Sequence, residues 1–436
     1  MKQARHSPEY LHNGIIYQIF LRTCTPQGTL EAARKLLPNI ASLGTTIVYL
    51  CPIFEADDDM DPRYWSIRQR GAGTNNPKNP YRMKDFYAID PEYGTEEDLH
   101  AFVRDAHALG MRVWLDMVFF HCGPNAVHIQ EHPDWVKRDE NGDFTLGVWA
   151  FPVHDFAKPE LREYLLDNMV HWVRDFDVDG FRCDVGTLMP LDFWEEGRRR
   201  LEAIKPDVTM LCEGERPEDQ LYAFDLDYAF SWYKSNFPAV MSGEAPASAL
   251  KDAWDKANAK WPAGARHMRA IDTHGTSDSS TVKGARYEKA WTHAGMDAVL
   301  CLNYWIDGVP FLYNGMEVAD DAPHCVWADR FHAKNTVVDW SYAVTKEGRA
   351  RTALLRRLAK MRKEHPALLK GETRWVEAGE SLLVFERVCA EEKLLCAVNL
   401  GRNAVPFEAP ENAEKIFARA GKHTLPPFGA ALYRIS

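Results

Sequence analysis

The chain has 436 residues, of which 46% are hydrophobic and 12% aromatic, and a formal net charge of −11. This composition argues against a disordered chain, and the length suits a barrel of about 250 residues with insertions plus a small extra domain. The negative charge argues against a nucleic-acid partner, which requires clustered Lys and Arg. No apolar stretch predicts a signal peptide or a membrane span.

Eight strand-like runs of continuous apolar residues recur along the chain, with helical patterns between them. Continuous rather than alternating runs are typical of parallel strands buried on both faces, and eight is the strand number of a TIM barrel. The runs are 14–20, 46–50, 112–118, 180–184, 208–213, 224–230, 268–271 and 308–313. The clearest helical stretches are 95–109, 161–176 and 349–363.

Two departures from this rhythm divide the chain. Residues 122–160 are rich in Pro, His, Trp and Asp, which predicts a short inserted domain after the third strand. Here His154 and Asp155 are expected to be polar loop groups. After residue 365 the pattern alternates, which predicts antiparallel strands. The predicted fold is a (β/α)8 TIM barrel (1–121 and 161–365) with an inserted domain (122–160) and a C-terminal antiparallel, sandwich-like β-domain (366–436).

The nine cysteines indicate a reducing compartment. Five lie inside apolar strand-like runs, which favours small core side chains over a disulfide framework. The sequence contains no CxxC pair, so a structural zinc site is not expected. We therefore expect a cytoplasmic protein without a cofactor. The five cysteines are Cys51, Cys183, Cys212, Cys301 and Cys396.

Two carboxylates stand at the ends of strand-like runs, Asp184 after 180–183 and Glu213 after 209–212. A carboxylate in such an apolar setting is usually paired, metal-bound or catalytic. The two are spaced as successive strands of β/α units of about 30 residues or more, and the strand ends of a barrel converge on one mouth. Glu215 is an alternative to Glu213, because alternation along a strand puts both on one face.

Several segments together resemble the α-amylase family, glycoside hydrolase family 13, over nearly the whole chain. Residues 179–184 (DGFRCD) match its Asp-Gly-x-Arg-x-Asp motif on the fourth strand, and 116–121 (DMVFFH) are similar to Asp-x-Val-x-Asn-His. The other similar segments are 17–22 (YQIFLR), 79–95 (NPYRMKDFYAIDPEYGT) and 308–317 (GVPFLYNGME).

The resemblance implies a role for each matching residue. Asp184 is the nucleophile, kept ionised by Arg182, which lowers its pKa. Glu213 is the acid/base, kept protonated by a drier setting and by the neighbouring Asp. Such a pair supports a retaining mechanism through a covalent glycosyl-enzyme intermediate. The residues expected to bind substrate or support the site are Tyr81, which would stack on a sugar ring, and Asp116, His121, Arg182 and His274.

The implied function is cleavage of α-glucosidic bonds in oligosaccharides by a retaining glycosidase. Hydrolysis, transfer to another sugar and isomerisation use the same intermediate and differ in the acceptor, so the sequence does not separate them. The alternative is a catalytically impaired or inactive homologue that binds sugar or a protein partner.

One departure from the family pattern concerns the seventh-strand motif, which ends His-Asp in the family. Here His274 is followed by Gly275, where the third carboxylate is expected. Losing that carboxylate removes several kcal/mol of transition-state stabilisation. Three interpretations remain open: Asp272 or Asp278 substitutes, the activity is weakened or altered, or the chain is a natural or engineered inactive variant.

A second departure concerns calcium, which many members of the family bind. Phe120 replaces a ligating Asn, and Leu188 stands near a second expected ligand position. Calcium requires six to eight oxygen ligands, so we expect no metal and no effect of a chelator on activity or melting temperature. The acidic segment 57–61 has two interpretations, an ion site and a solvated surface loop, of which the solvated loop is favoured.

Overall fold

The computed structural model describes residues 2–276, 286–332, 336–421 and 423–436. Its strands follow the chain from a parallel set to an antiparallel set. They are β1 (Ile16–Ile19), β2 (Ile47–Leu50), β3 (Phe54–Ala56), β4 (Met83–Ile89), β5 (Arg112–Met117), β6 (Gly180–Cys183), β7 (Thr209–Cys212), β8 (Leu226–Asp227), β9 (Met268–Arg269), β10 (Val309–Tyr313), β11 (Glu372–Ala378), β12 (Leu382–Val388), β13 (Lys393–Asn399), β14 (Val405–Pro406), β15 (Glu414–Arg419), β16 (Thr424–Leu425) and β17 (Ala430–Ile435).

The longer helices alternate with the parallel strands. The Thr95 side chain and Asp98 cap the helix that begins at Glu96 reciprocally, which satisfies two free amides of its first turn. The helices are α1 (Glu9–His12), α2 (Leu21–Cys24), α3 (Leu30–Arg34), α4 (Leu37–Ser42), α5 (Ile67–Gly71), α6 (Glu96–Ala108), α7 (Val127–Glu131), α8 (Pro159–Phe176), α9 (Leu191–Ile204), α10 (Asp219–Tyr222), α11 (Phe237–Ser242), α12 (Ser248–Lys260), α13 (Tyr287–Trp305), α14 (Lys346–Glu364) and α15 (Pro366–Lys370).

Eight parallel strands form the barrel, in the order β8-β7-β6-β5-β2-β1-β10-β9. A parallel bridge between Asp227 and His267 joins the two ends of this order and closes the ring. Each strand corresponds to one predicted apolar run, so the predicted TIM barrel is confirmed. The core residues of the strands are fully buried, as expected for a sheet covered by helices outside and side chains inside.

The motif residues Asp179 and Gly180 have structural reasons to be present. A Cβ at Gly180 would lie 2.2 Å from the carbonyl oxygen of Thr209 on the neighbouring strand, so only glycine fits. The Asp179 carboxylate accepts from the backbone N–H of Val113 at 2.8 Å and pairs with Arg112. These contacts fix β6 beside β5 and β7, and thereby set the height of Asp184 at the other end of the strand.

The segment between β5 and α8 contains α7, a short 3₁₀ turn (Pro133–Trp135) and isolated antiparallel bridges such as Val136–His154 and Leu146–Pro152. Strands β3 and β4 form a separate two-stranded antiparallel sheet before α6, which the sequence patterns did not predict.

The C-terminal region forms an antiparallel sheet of five strands, in the order β11-β12-β13-β17-β15, with a small pair of β14 and β16. The predicted strands at 381–386, 393–398 and 429–435 correspond to β12, β13 and β17. The edge strands β11 and β15 are mostly exposed, so they carry no apolar run and were missed. The domain boundaries drawn from the sequence stay a prediction.

Among the described helices, none combines the length and the apolar character needed to cross a membrane.

Candidate active site

Asp184 and Glu213 directly follow neighbouring strands of the barrel. The residues before them, Cys183 and Cys212, pair across β6 and β7. The hydrogen-bond ladder extends one residue further: the N–H of Asp184 donates to the carbonyl of Met117 at 2.9 Å, and the N–H of Glu213 donates to the carbonyl of Cys183 at 3.0 Å. The parallel register therefore places both carboxylates at the same end of the barrel.

The guanidinium of Arg182 joins three carboxylates. Its Nη1 lies 2.6 Å from Oδ1 of Asp116 and 2.8 Å from Oδ1 of Asp184, and its Nη2 lies 2.6 Å from Oε2 of Glu213. Its Nε donates to the hydroxyl of Tyr228 at 3.1 Å. Arg182 is fully buried, so these contacts are shielded from water and each is stronger than an exposed pair.

Arg182 lowers the pKa of Asp184, as the resemblance implies, but the net shift of that pKa is upward. Burial raises the pKa of Asp184 well above its usual range, and Arg182 opposes that rise only in part. Glu213 and Asp116 add to the rise, because one cation serves three acids. The drier setting expected for Glu213 is also not found, since its side chain is 21% exposed against 9% for Asp184.

The residue after Asp184 has an unusual backbone. Val185 has φ 41° and ψ 39°, in the left-handed region that branched residues rarely adopt. This conformation directs its N–H to Oε2 of Glu213 at 2.9 Å, so Glu213 has a second donor beside Arg182. Such strain persists only where the surrounding structure fixes it, which is typical of functional sites.

A chain of hydrogen bonds connects His274 to the carboxylates. Nδ1 of His274 lies 2.8 Å from Nε2 of Gln18, a donor, so Nδ1 accepts and the proton resides on Nε2. Nε2 of His274 then donates to the hydroxyl of Tyr81 at 2.7 Å, and that hydroxyl donates to Oδ2 of Asp116 at 3.1 Å. Burial lowers the pKa of His274 well below its usual value, so the imidazole is neutral.

Tyr81 is held by two histidines. Its ring stacks on His274 with centroids 5.4 Å apart, and its carbonyl accepts from Nε2 of His121 at 2.9 Å. Burial lowers the pKa of His121 to about 3, so His121 is also neutral. In this structure the stacking partner of Tyr81 is therefore His274, while stacking on a sugar stays a prediction.

A cavity of about 410 Å³ lies at this end of the barrel. Asp116 lies behind it and acts through Arg182 and Tyr81. The combination of carboxylates with aromatic faces suits a polar ring-shaped ligand. The cavity is lined by the other sequence-predicted residues, Tyr81, His121, Arg182, Asp184, Glu213, His274 and Gly275, and by aromatic residues that include Trp149, Phe151, Phe230, Tyr233 and Trp327.

Three residues of the site were not predicted from the sequence. Gln18 orients His274, Tyr49 donates to Oδ2 of Asp116 at 2.6 Å, and Tyr228 accepts from Arg182. Gln18 carried a signal, because it is a buried amide within an otherwise apolar strand. The two tyrosines carried none, since tyrosine is an ordinary residue of apolar runs.

Glu215, the alternative acid/base, is directed elsewhere. Its Oε1 accepts from the backbone N–H of Ser231 at 3.0 Å and from the Ser231 hydroxyl at 2.9 Å. It does not line the cavity that holds Glu213. β7 ends at Cys212, so the strand alternation that made the two glutamates equivalent does not extend to Glu215.

Gly275 lies on the cavity wall with space beside it. Among the described residues, the nearest non-adjacent atom to an added Cβ is Oγ1 of Thr273, at 3.6 Å. Asp272 does not line the cavity: its Oδ2 lies 3.5 Å from Nε of Arg286, and burial raises its pKa to about 6. Asp278, the other proposed substitute, lies outside the described residues.

The side chains at the expected calcium position do not fit that ion. Phe120 packs its ring against Trp149, and Leu188 is 53% exposed; neither offers a ligand oxygen. The prediction of a solvated acidic loop is wrong for Asp57, which is fully buried. Asp57 accepts from the backbone N–H groups of Asp59 and Asn125, each at 2.7 Å, so it organises the loop.

We therefore expect calcium to leave stability unchanged. Adding millimolar calcium to metal-free protein should not move the melting temperature, because a ligand stabilises only a state that binds it. Thermal unfolding with and without calcium checks this. A rise of several degrees with calcium, absent with magnesium, would contradict it.

The sequence of this chain is similar to a family model and to known proteins. A model of the alpha amylase catalytic domain matches residues 13–154 and 124–360. A cyclomaltodextrinase from Geobacillus thermopakistaniensis is 26% identical over 464 residues, covering 94% of this chain and 70% of that protein. An intracellular maltogenic amylase from Bacillus subtilis is 26% identical over 404 residues, and the match covers 86% of this chain but only 62% of that longer relative.

Solved structures give the same result. An alpha-amylase from Lactobacillus plantarum superposes with a TM-score of 0.79 at 26% identity, covering 98% of this chain and 99% of that one. A noncanonic maltogenic alpha-amylase from Thermotoga neapolitana has a TM-score of 0.77 at 25% identity, covering 98% and 97%. Since the family model spans well over half of the sequence, the chain belongs to the alpha-amylase family.

Proposed function

We propose that the protein is a cytoplasmic retaining glycosidase that cleaves α-glucosidic bonds of oligosaccharides. The observation that carries this proposal is the placement of Asp184 and Glu213 on the two terminal nitrogens of Arg182 within one cavity. A retaining mechanism requires such carboxyl groups side by side, about 5–5.5 Å apart. The relatives named cyclomaltodextrinase and intracellular maltogenic amylase support maltodextrin-type substrates and an intracellular location.

In the proposed reaction a carboxylate oxygen of Asp184 attacks the anomeric carbon while Glu213 gives its proton to the departing glycosidic oxygen. Glu213 then takes a proton from water, which hydrolyses the glycosyl ester and frees Asp184. A sugar hydroxyl in place of water gives transfer or isomerisation. The first step requires a protonated Glu213 and an ionised Asp184, so the contact of Glu213 with Arg182 must loosen when the sugar enters.

A second function is supported by Gly275. If the third carboxylate is missing and nothing replaces it, the cavity still binds a sugar but stabilises the transition state poorly. The protein would then be a weakly active or inactive member of the family that binds sugar or a protein partner.

One experiment separates these functions. The protein is incubated with maltose, maltotriose, sucrose, trehalose and a cyclomaltodextrin, and the products are separated by chromatography, with Asp184→Asn as the control. Products formed by the wild type alone support the glycosidase. Binding measured by calorimetry without any product supports the second function, and neither binding nor turnover would overturn both.

The electrostatics of the cluster predict the effect of Asp116→Asn on the pH profile. Asp116 and burial both raise the pKa of Asp184, whose ionised form is the nucleophile. Removing the charge of Asp116 lowers that pKa, so the acidic limb of kcat/KM should move to lower pH by about one unit. Tyr49→Phe is the matched control, since it removes a partner of Asp116 without changing charge. An unmoved limb would contradict the coupling.

A further inference from the structure

A cluster of metal-ligating side chains lies in the segment between β5 and α8, beside the cavity but outside it. Cys122, His128 and His154 are all buried, and their ligating atoms lie within 4.8 Å of one another. Among the described residues, no other group of three His, Cys, Asp or Glu side chains has its ligating atoms this close together. Cys122 follows β5, His128 lies in α7, and His154 forms the antiparallel bridge with Val136.

The hydrogen bonds of His154 and His128 bring their Nε2 atoms together, where both could bind one metal ion. Nδ1 of His154 donates to the carbonyl of Phe119 at 2.7 Å, which leaves Nε2 of His154 with a free electron pair. Nε2 of His128 lies 2.8 Å from that atom. A histidine whose far nitrogen is fixed by a carbonyl is the usual arrangement of a metal ligand. Nδ1 of His128 is buried and, among the described residues, has no hydrogen-bond partner.

We propose that Cys122, His128 and His154 bind a zinc ion. The competing interpretation is a simple hydrogen bond between the two imidazoles, which the 2.8 Å contact also permits. That interpretation gives no role to the neighbouring thiol, whereas Nδ1 of His128 lacks a partner among the described residues in either case. The site is independent of the proposed glycosidase activity and differs in position and chemistry from a calcium site.

The ligand set selects the ion. A thiolate and two imidazoles suit zinc, whereas calcium and magnesium require oxygen ligands. In tetrahedral zinc geometry two nitrogens lie about 3.3 Å apart, so the histidines must separate by about half an ångström from their present contact. Binding releases one proton, from the Cys122 thiol, while the proton on Nε2 of His128 moves to its Nδ1. Water completes the tetrahedron.

Aromatic rings surround the cluster. Tyr164 stacks on His128 with centroids 5.4 Å apart, and Phe86 contacts both histidines at 5.5 and 6.0 Å. Aromatic faces tolerate the residual positive charge of a zinc thiolate. Cys122 follows His121, which holds Tyr81, so the ion would connect the inserted segment to the wall of the cavity.

The test uses the full-length protein without a histidine tag. After dialysis against one equivalent of zinc and then metal-free buffer, elemental analysis should find about one zinc per chain. Cobalt substituted at the site should show thiolate-to-metal charge-transfer absorption in the near ultraviolet. A strong chelator should lower the melting temperature, in contrast to the expectation from the sequence, which considered calcium alone, and zinc but not calcium should restore it.

Variants locate the site. Cys122→Ser should remove the charge-transfer band, and Cys122→Ser and His128→Gln should each weaken zinc binding by at least about 100-fold, more than the loss of a supporting contact. Cys396→Ser, a buried cysteine of the C-terminal sheet, is the matched control and should change neither. Wild-type protein that retains no zinc and shows no cobalt band would overturn the proposal, even if the variants fail to fold. Retained affinity in both folded variants would equally overturn it.

Discussion

Replacing Asp184 by Asn is expected to lower the turnover of an α-glucoside by about 10⁴-fold or more. The amide keeps the size of the side chain but cannot form the glycosyl ester, and removing a nucleophile has effects of this order. The fold should be retained, because Asp116 and Glu213 still pair with Arg182 after the substitution. Steady-state kinetics on the best substrate, together with thermal unfolding, measures both effects.

Glu213→Gln distinguishes the acid/base from the nucleophile. Turnover of substrates with poor leaving groups should fall severely, whereas aryl glycosides with activated leaving groups should retain part of their rate, since they need little proton donation. Glu215→Gln is the matched control, because Glu215 binds Ser231 away from the cavity. Wild-type rates for Asp184→Asn and Glu213→Gln, or a larger loss in Glu215→Gln, would refute the assignment.

The barrel was predictable because its strands are buried on both faces and therefore appear as uninterrupted apolar runs. The strand ends were predictable for the same reason, since Asp184 and Glu213 interrupt those runs with a charge. The edge strands β11 and β15 of the C-terminal sheet were not, because exposed edges carry polar residues that resemble loops.

The protonation states of the site carboxylates could not be predicted from the sequence, for a different reason. The motif that contains Arg182 and Asp184 suggests a simple ion pair, but Asp116 and Glu213 also bind the same guanidinium in the fold. The resulting rise in the pKa of Asp184 depends on burial and on residues distant in the chain. Likewise, Cys122, His128 and His154 have no spacing typical of a zinc motif, and only the folded segment brings them together.

Gly275→Asp is expected to raise the turnover of an α-glucoside by about 100-fold, if the new carboxylate recovers about 3 kcal/mol of transition-state stabilisation. The structure leaves room for the change, since an added Cβ meets its nearest described neighbour, Oγ1 of Thr273, at 3.6 Å. The new side chain would extend from the cavity wall that also holds His274 and Glu213. Binding of unreacted sugar should change much less than the rate, because the gain is specific to the transition state.

The matched control for this prediction is Gly275→Asn, which adds the same volume without a charge and should give no such gain. Asp272→Asn should leave the rate nearly unchanged, because Asp272 faces Arg286 rather than the cavity. If Asp272→Asn or Asp278→Asn abolishes turnover while Gly275→Asp lowers it, a neighbouring aspartate already supplies the third carboxylate and the added one crowds it. No gain from Gly275→Asp and no loss from the other two would mean that this strand end does not carry the transition-state carboxylate at all.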